Sequence, residues 1–238
     1  MLKSKAPDAS SQKLPPDFKK RLKEHLLSKP FQSAFERMVK KSMRNGTETN
    51  FDVNCSLSRG CHFGSSRVGG GKYPDRVCDP GDFDEAEDRN CIDFVNKFDF
   101  TVISLHTHPY DAFDYDLGVL LPSPSDCAGI SEYNTIGLIV PLDFRNRVIE
   151  LVAFQNTRVL SHCAYENLLF EMRDKSLEEI EHEIARLSIL RLIRFPKRDV
   201  ANIKSEEIDM ILDVMELRFN HTSMLVKSLP GKKRSPIK

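Results

Sequence analysis

A chain of 238 residues with 40% apolar side chains can bury a proper core, as one generous domain or as a domain with an extension. Its formal charge of +0 excludes a global field drawing it to nucleic acid or acidic lipid. No run reaches the ~18 apolar residues of a membrane span, and MLKSKAPDASSQKLPP lacks the apolar segment of a signal peptide.

The expected setting is therefore soluble and cytoplasmic, with six reduced cysteines and neither nucleic acid nor membrane as a partner. Residues 1–16 are polar and proline-containing and read as a flexible lead. Asp17 is expected to cap a first helix carrying Phe18, Leu22, Leu26 and Leu27, ended by Pro30. Phe31, Phe35, Met38 and Val39 follow at i, i+4, i+7 and i+8, the apolar face of a second helix that Asn45-Gly46 stops. Residues 51–57 read as a strand.

Residues 58–90 are rich in Gly, Asp and Arg and weakly periodic, as long functional loops are. GSSRVGGGKY within them fails the phosphate-loop pattern at Ser66 and Tyr73 and reads as a plain flexible loop. Cys55, Cys61, His62, Cys78 and Cys91 lie in and around it, but their spacing matches no tight structural-zinc signature.

DFTVISL (99–105) is expected to be a buried strand, and TIGLIVP (135–141) and VIELVAF (148–154) a hairpin turning at Asp143 to Arg147. Beyond it the chain reads as helical. A capping box at Ser176-x-x-Glu179 opens a stripe of Leu177, Ile180, Ile184 and Leu187, and Pro196 breaks the pattern. Ile208, Ile211, Leu212, Met215 and Phe219 form a last amphipathic helix. These C-terminal stripes read as core or as the seam of a homodimer. His162, His182 and His221 fall in helical sequence, facing solvent or supporting packing.

The expected fold class is α/β, a mixed sheet flanked by helices. The division is a lead over 1–16, a core over 17–160, a helical extension over 161–228 and a tail over 229–238.

HTHPYDAFDYDLGVLLPSPSD carries the chemistry. Residues i and i+2 of a strand share a face, so His106 and His108 can aim both imidazoles at one point, and Pro109 stops the strand there. Two converging imidazoles suit zinc, which also takes carboxylate oxygen and in catalytic sites keeps one position open. Asp126 is the natural third ligand. Ser123, Pro124 and Asp126 equally suit the N-cap, first and capping-box positions of a helix.

His106-Thr107-His108-Pro109, followed by Pro122-Ser123-Pro124-Ser125-Asp126, resembles the JAMM (MPN-plus) metalloproteases over about residues 31 to 155. The resemblance implies a cytidine-deaminase-like core with extra C-terminal helices. It implies Zn2+ on His106, His108 and Asp126, Glu48 as general base, and Ser123 as the hydrogen-bond donor to the developing oxyanion. It also implies hydrolysis of a peptide or isopeptide bond, in family members often at the C-terminus of ubiquitin, a ubiquitin-like modifier or a sulfur-carrier protein.

Two departures stand out. Thr49-Asn50-Phe51-Asp52 replaces the small and apolar residues usual after the glutamate, with Glu85 and Glu87 as substitutes for Glu48. The stretch YDAFDYDLGVLL lengthens the gap to Ser123. It reads as an inserted substrate loop bearing Tyr110, Asp111, Phe113, Asp114, Tyr115 and Asp116, or as a solvated loop. The rival functions are a metal-free scaffold of the same fold and a different zinc hydrolase; barrel hydrolases opening on His-x-His need later strand histidines and an eightfold alternation missing here.

Overall fold

Ser28 is the joint between the first two elements. Helix α1 (Phe18–Leu27) closes before it, and the Ser28 hydroxyl caps α2 (Lys29–Asn45) by accepting from the Phe31 amide. Pro30 thus opens α2 rather than ending α1, because a residue without an N–H costs nothing in a first helical turn. Asp17 holds the N-cap position of α1 without a side-chain cap bond. Gly46, left-handed at φ 63°, ends α2 and returns its N–H to Ser42.

The computed structural model describes residues 14–70, 100–110, 116–127, 135–157, 162–196 and 202–217. After the two helices come strands β1 (Asn50–Ser56), β2 (His62–Ser65) and β3 (Phe100–His108), then a short helix α3 (Asp116–Leu120). Strands β4 (Ile136–Pro141) and β5 (Glu150–Asn156) precede helices α4 (His162–Glu171) and α5 (Leu177–Arg186). Strand β6 (Leu190–Pro196) and helix α6 (Ser205–Val214) complete the described elements.

The strands form one six-stranded sheet in the order β2-β1-β3-β4-β5-β6. All neighbours are antiparallel except β3 and β4. A parallel pair needs a crossover, so the chain between His108 and Ile136 must return across the sheet. This connection carries α3, Ser123 and Asp126.

Alternation along the strands divides the core by face. Leu105, Leu138, Val140, Leu151 and Ala153 pack with α1, α2 and α6 through Leu22, Phe31, Phe35, Met38, Ile208 and Ile211. Ile139, Val152 and Phe154 point the other way, onto Leu121, Cys127, Tyr165, Ile180 and Ile184. Leu121, 2% exposed, ties the crossover to this second face; burying a leucine contributes about 1.5–3 kcal/mol.

The mixed sheet flanked by helices is the expected class. Two strands lie where none was expected. LRLIRFP pairs with the whole of β5, from Glu150 with Pro196 to Asn156 with Leu190. It follows the α5 stripe without a Gly or Pro break; the turn is made by Ser188 at φ 51°. The stretch after β5 therefore mixes helices with an edge strand. The four-residue β2 hides in the glycine-rich segment. Beyond it the chain continues along β1, with the Ser66 amide on the Asp52 carbonyl and the Gly69 amide on the Asn50 carbonyl. A Cβ on Gly69 would lie 2.1 Å from Asn50 Oδ1, so a side chain here would force the Asn50 amide to move.

The expectations for residues 1–13, 71–99, 111–115 and 218–238 lie outside the described residues. These include Glu85, Glu87, Cys78, Cys91, Phe219, His221 and residues 111–115 of the insertion. Tyr110 is described, and its ring meets Phe144 edge-on in the β4–β5 turn at 6.4 Å.

Candidate metal centre

β3 runs on through both histidines, so His106 and His108 point to the second face beside Ile139, the register partner of His106 on β4. Thr107 points to the first face. It is fully buried, and its polarity is met by a chain of contacts. Its hydroxyl donates to Ser42 Oγ at 2.7 Å and accepts from the Thr49 amide at 3.0 Å. Ser42 Oγ in turn donates to the Thr47 carbonyl at 2.7 Å, and Thr49 Oγ1 to the Met38 carbonyl at 2.8 Å. The network pins the end of α2 and residues 47–49 to β3, with Glu48 between two fixed neighbours.

Thr107→Val would strip the Thr49 amide of this buried acceptor. The expected loss is about 1–3 kcal/mol of unfolding free energy in a urea titration. A midpoint equal to the parent's would show the network to be dispensable.

The crossover brings Asp126 over the carboxyl end of β3. A helical turn over 124–127 opens with Ser123: the Asp126 amide donates to Ser123 Oγ at 3.1 Å, and the Ser123 amide to Asp126 Oδ2 at 2.7 Å. The capping box therefore forms. The carboxylate that caps the turn also faces the imidazoles, with Oδ1 3.2 Å from His106 Nε2 and Oδ2 3.4 Å from His108 Nε2. The two Nε2 atoms are 2.9 Å apart. One potential ligand atom from each residue lies within 4.8 Å of the others, so the group could hold a metal ion.

Orientation is set one layer out. His108 Nδ1 lies 3.2 Å from the Val119 carbonyl, which can only accept. That contact keeps the proton on Nδ1 and the lone pair of Nε2 toward the cluster. His108 is fully buried, while the Asp126 side chain keeps 19% exposure and marks the open side.

The three groups of the cluster shift one another's titration. Burial works against a charged His106, yet the Asp126 carboxylate, helped by Glu48 and Asp52, lifts its pKa to about 9. Burial lowers that of His108, and His106 adds to the effect. Burial also opposes charge on Asp126, but the two imidazoles hold its carboxyl well below the usual range. Burial, reinforced by Asp126, pushes the Cys127 thiol up, so its sulfur stays protonated beside the cluster.

No family model and no curated protein matches the chain.

The residues singled out in sequence divide by distance from this cluster. His106, His108 and Asp126 come together in it. Ser123 adjoins it through the capping bonds. Glu48 is not a member of the ligand group; it is buried at 8% exposure, two residues before the partner of His106 on β1, and its charge is felt at that imidazole. Thr107 and the Val119 carbonyl were not anticipated. A polar residue on the buried face of a strand signals a required partner, which could have exposed Thr107. A main-chain acceptor such as Val119 leaves no mark in sequence. Cys55 and Cys61 are buried across the β1–β2 turn and are not joined in a disulfide. No helix among the described residues is long and apolar enough to cross a membrane.

Proposed function

We propose that this chain is a zinc-dependent hydrolase of amide bonds, a peptidase or isopeptidase of the kind the JAMM motif resembles. The supporting observation is the convergence of two imidazoles and one carboxylate, distant in sequence, at the carboxyl end of β3. Two neutral nitrogens and one carboxylate oxygen are a borderline-soft donor set suited to Zn2+, with one tetrahedral position open. Zinc bonds of about 2.0–2.2 Å at tetrahedral angles separate ligand atoms by roughly 3.3 Å; here the two Nε2 atoms are 2.9 Å apart, His106 Nε2 is 3.2 Å from Asp126 Oδ1, and His108 Nε2 is 3.4 Å from the other oxygen, Oδ2.

Zinc held by His106, His108 and Asp126 would supply a Lewis acid that lowers the pKa of water toward about 7. The chain's own groups do the rest. Glu48, buried at 8% exposure, accepts a proton from water at its carboxylate and returns it to the leaving amine nitrogen. Ser123 Oγ accepts from the Asp126 amide, which leaves its hydrogen to donate to the carbonyl oxygen as charge gathers there. The buried side of His108 keeps solvent from the ring that must present a lone pair. The substrate would be a protein or peptide with an extended end, of which the C-terminus of a ubiquitin-like or sulfur-carrier protein is the leading case.

The test is a metal assay on purified protein, followed by cleavage of C-terminal amide and isopeptide fusions of such proteins with and without chelator. The reading expects about one zinc per chain and cleavage that a chelator stops and zinc restores. A zinc-free chain indifferent to chelator would leave the scaffold in its place.

A further inference from the structure

The crossover that carries Asp126 is held from beyond β5. Arg194 on β6 donates from Nη2 to the Leu120 carbonyl at 2.9 Å. Tyr165 on α4 donates its hydroxyl to the Pro122 carbonyl at 3.1 Å. Asn156, at the end of β5, donates from Nδ2 to the Cys127 carbonyl at 2.5 Å. These acceptors adjoin the two points at which the crossover meets the imidazoles: Leu120 directly follows Val119, whose carbonyl faces His108 Nδ1, and Cys127 directly follows Asp126. The first two donors are themselves anchored. Arg194 is 17% exposed and spans the carboxylates of Glu150 and Glu181; Tyr165 is fully buried against Leu121 and Cys127.

We infer that Arg194, Tyr165 and Asn156 are positioning residues of the metal centre, clamping the crossover so that Val119 orients His108 and Asp126 meets both rings. The inference rests on reading the His106, His108 and Asp126 cluster as a metal centre. It gives the chain beyond β5 a role in that centre, which a separable helical extension would lack. A ligand set must be held within about 0.5 Å of its productive geometry. Short secondary structure cannot do that for the crossover, because α3 is only five residues long and the turn after it four. Side-chain bonds to successive carbonyls can.

Two substitutions test the clamp in the full chain. Tyr165→Phe removes one hydroxyl and keeps the ring. Arg194→Lys keeps the charge between Glu150 and Glu181 but loses the planar fork that also reaches Leu120. Arg191→Lys is the control: Arg191 lies on the opposite face of the same strand and pairs with Glu216. Exchange of the His108 Nδ1 proton, followed by 15N-resolved NMR in metal-free protein, should be about tenfold faster in the first two variants and unchanged in the control, while amides of β4 keep parental protection. Partners one layer beyond metal ligands typically shift affinity roughly 10–100-fold. Co2+ should therefore bind both variants about tenfold more weakly, with an altered visible spectrum.

Parental proton exchange in Tyr165→Phe overturns the clamp, and so does parental Co2+ affinity with an unaltered spectrum. If Arg194→Lys fails to fold, Tyr165→Phe alone decides. A parent chain that takes up no Co2+ sinks the metal reading instead, and the exchange rates, measured without metal, still decide whether the crossover is clamped.

Discussion

Asp126→Ala should leave the purified protein with less than about 0.1 zinc per chain, and with no cleavage. The carboxylate is the only anion in the ligand group, and it lies between two ring nitrogens themselves 2.9 Å apart. Without it the group falls from three ligands to two neutral imidazoles, fewer than catalytic zinc sites use. The substitution also removes the acceptor of the Ser123 amide and loosens the turn. Asp126→Asn separates the two effects: its amide oxygen can still cap the turn but brings no charge. The account expects Asn to retain more stability than Ala and nearly as little zinc. Full zinc occupancy in Asp126→Ala would show the ligand set to be wrong.

Glu48→Gln should do the reverse, keeping zinc near one equivalent while lowering the cleavage rate about 10²–10⁴-fold, the usual contribution of a general base. Glutamine has nearly the same shape and cannot take a proton. The neighbours that fix residue 48 are backbone and hydroxyl bonds of Thr47 and Thr49, which the change leaves alone. A large loss of zinc in Glu48→Gln would make residue 48 a ligand. An unchanged rate would move the base elsewhere.

Elements with strong periodicity and explicit stops were legible in the sequence. The α2 stripe of Phe31, Phe35, Met38 and Val39 is buried, and Gly46 ends it. The Ser176–Glu179 capping box forms, with Ile180 and Ile184 buried behind it. The ligand cluster was legible because strand spacing puts His106 and His108 on one face whatever the tertiary context. Strand β6 was not. Its alternation of apolar and basic residues abuts α5, and only pairing with β5 decides its conformation, a tertiary effect that overrides local pattern. The partners of the centre were hidden for a related reason. Tyr165 and Arg194 bind carbonyls, and acceptor positions on the main chain are set by the crossover's path rather than by residue type. At Ser123 and Asp126, helix capping and metal ligation seemed to compete. The Asp126 carboxylate caps the turn and also faces both imidazoles, because it has two oxygens and each can accept more than once.

The most direct measurement is X-ray absorption at the zinc edge of the zinc-loaded chain. Two imidazole nitrogens and carboxylate or water oxygens at about 2.0–2.2 Å, with no sulfur, are the predicted shell. Failure to retain zinc, or a shell with sulfur at about 2.3 Å, would contradict the assignment of His106, His108 and Asp126 as its ligands.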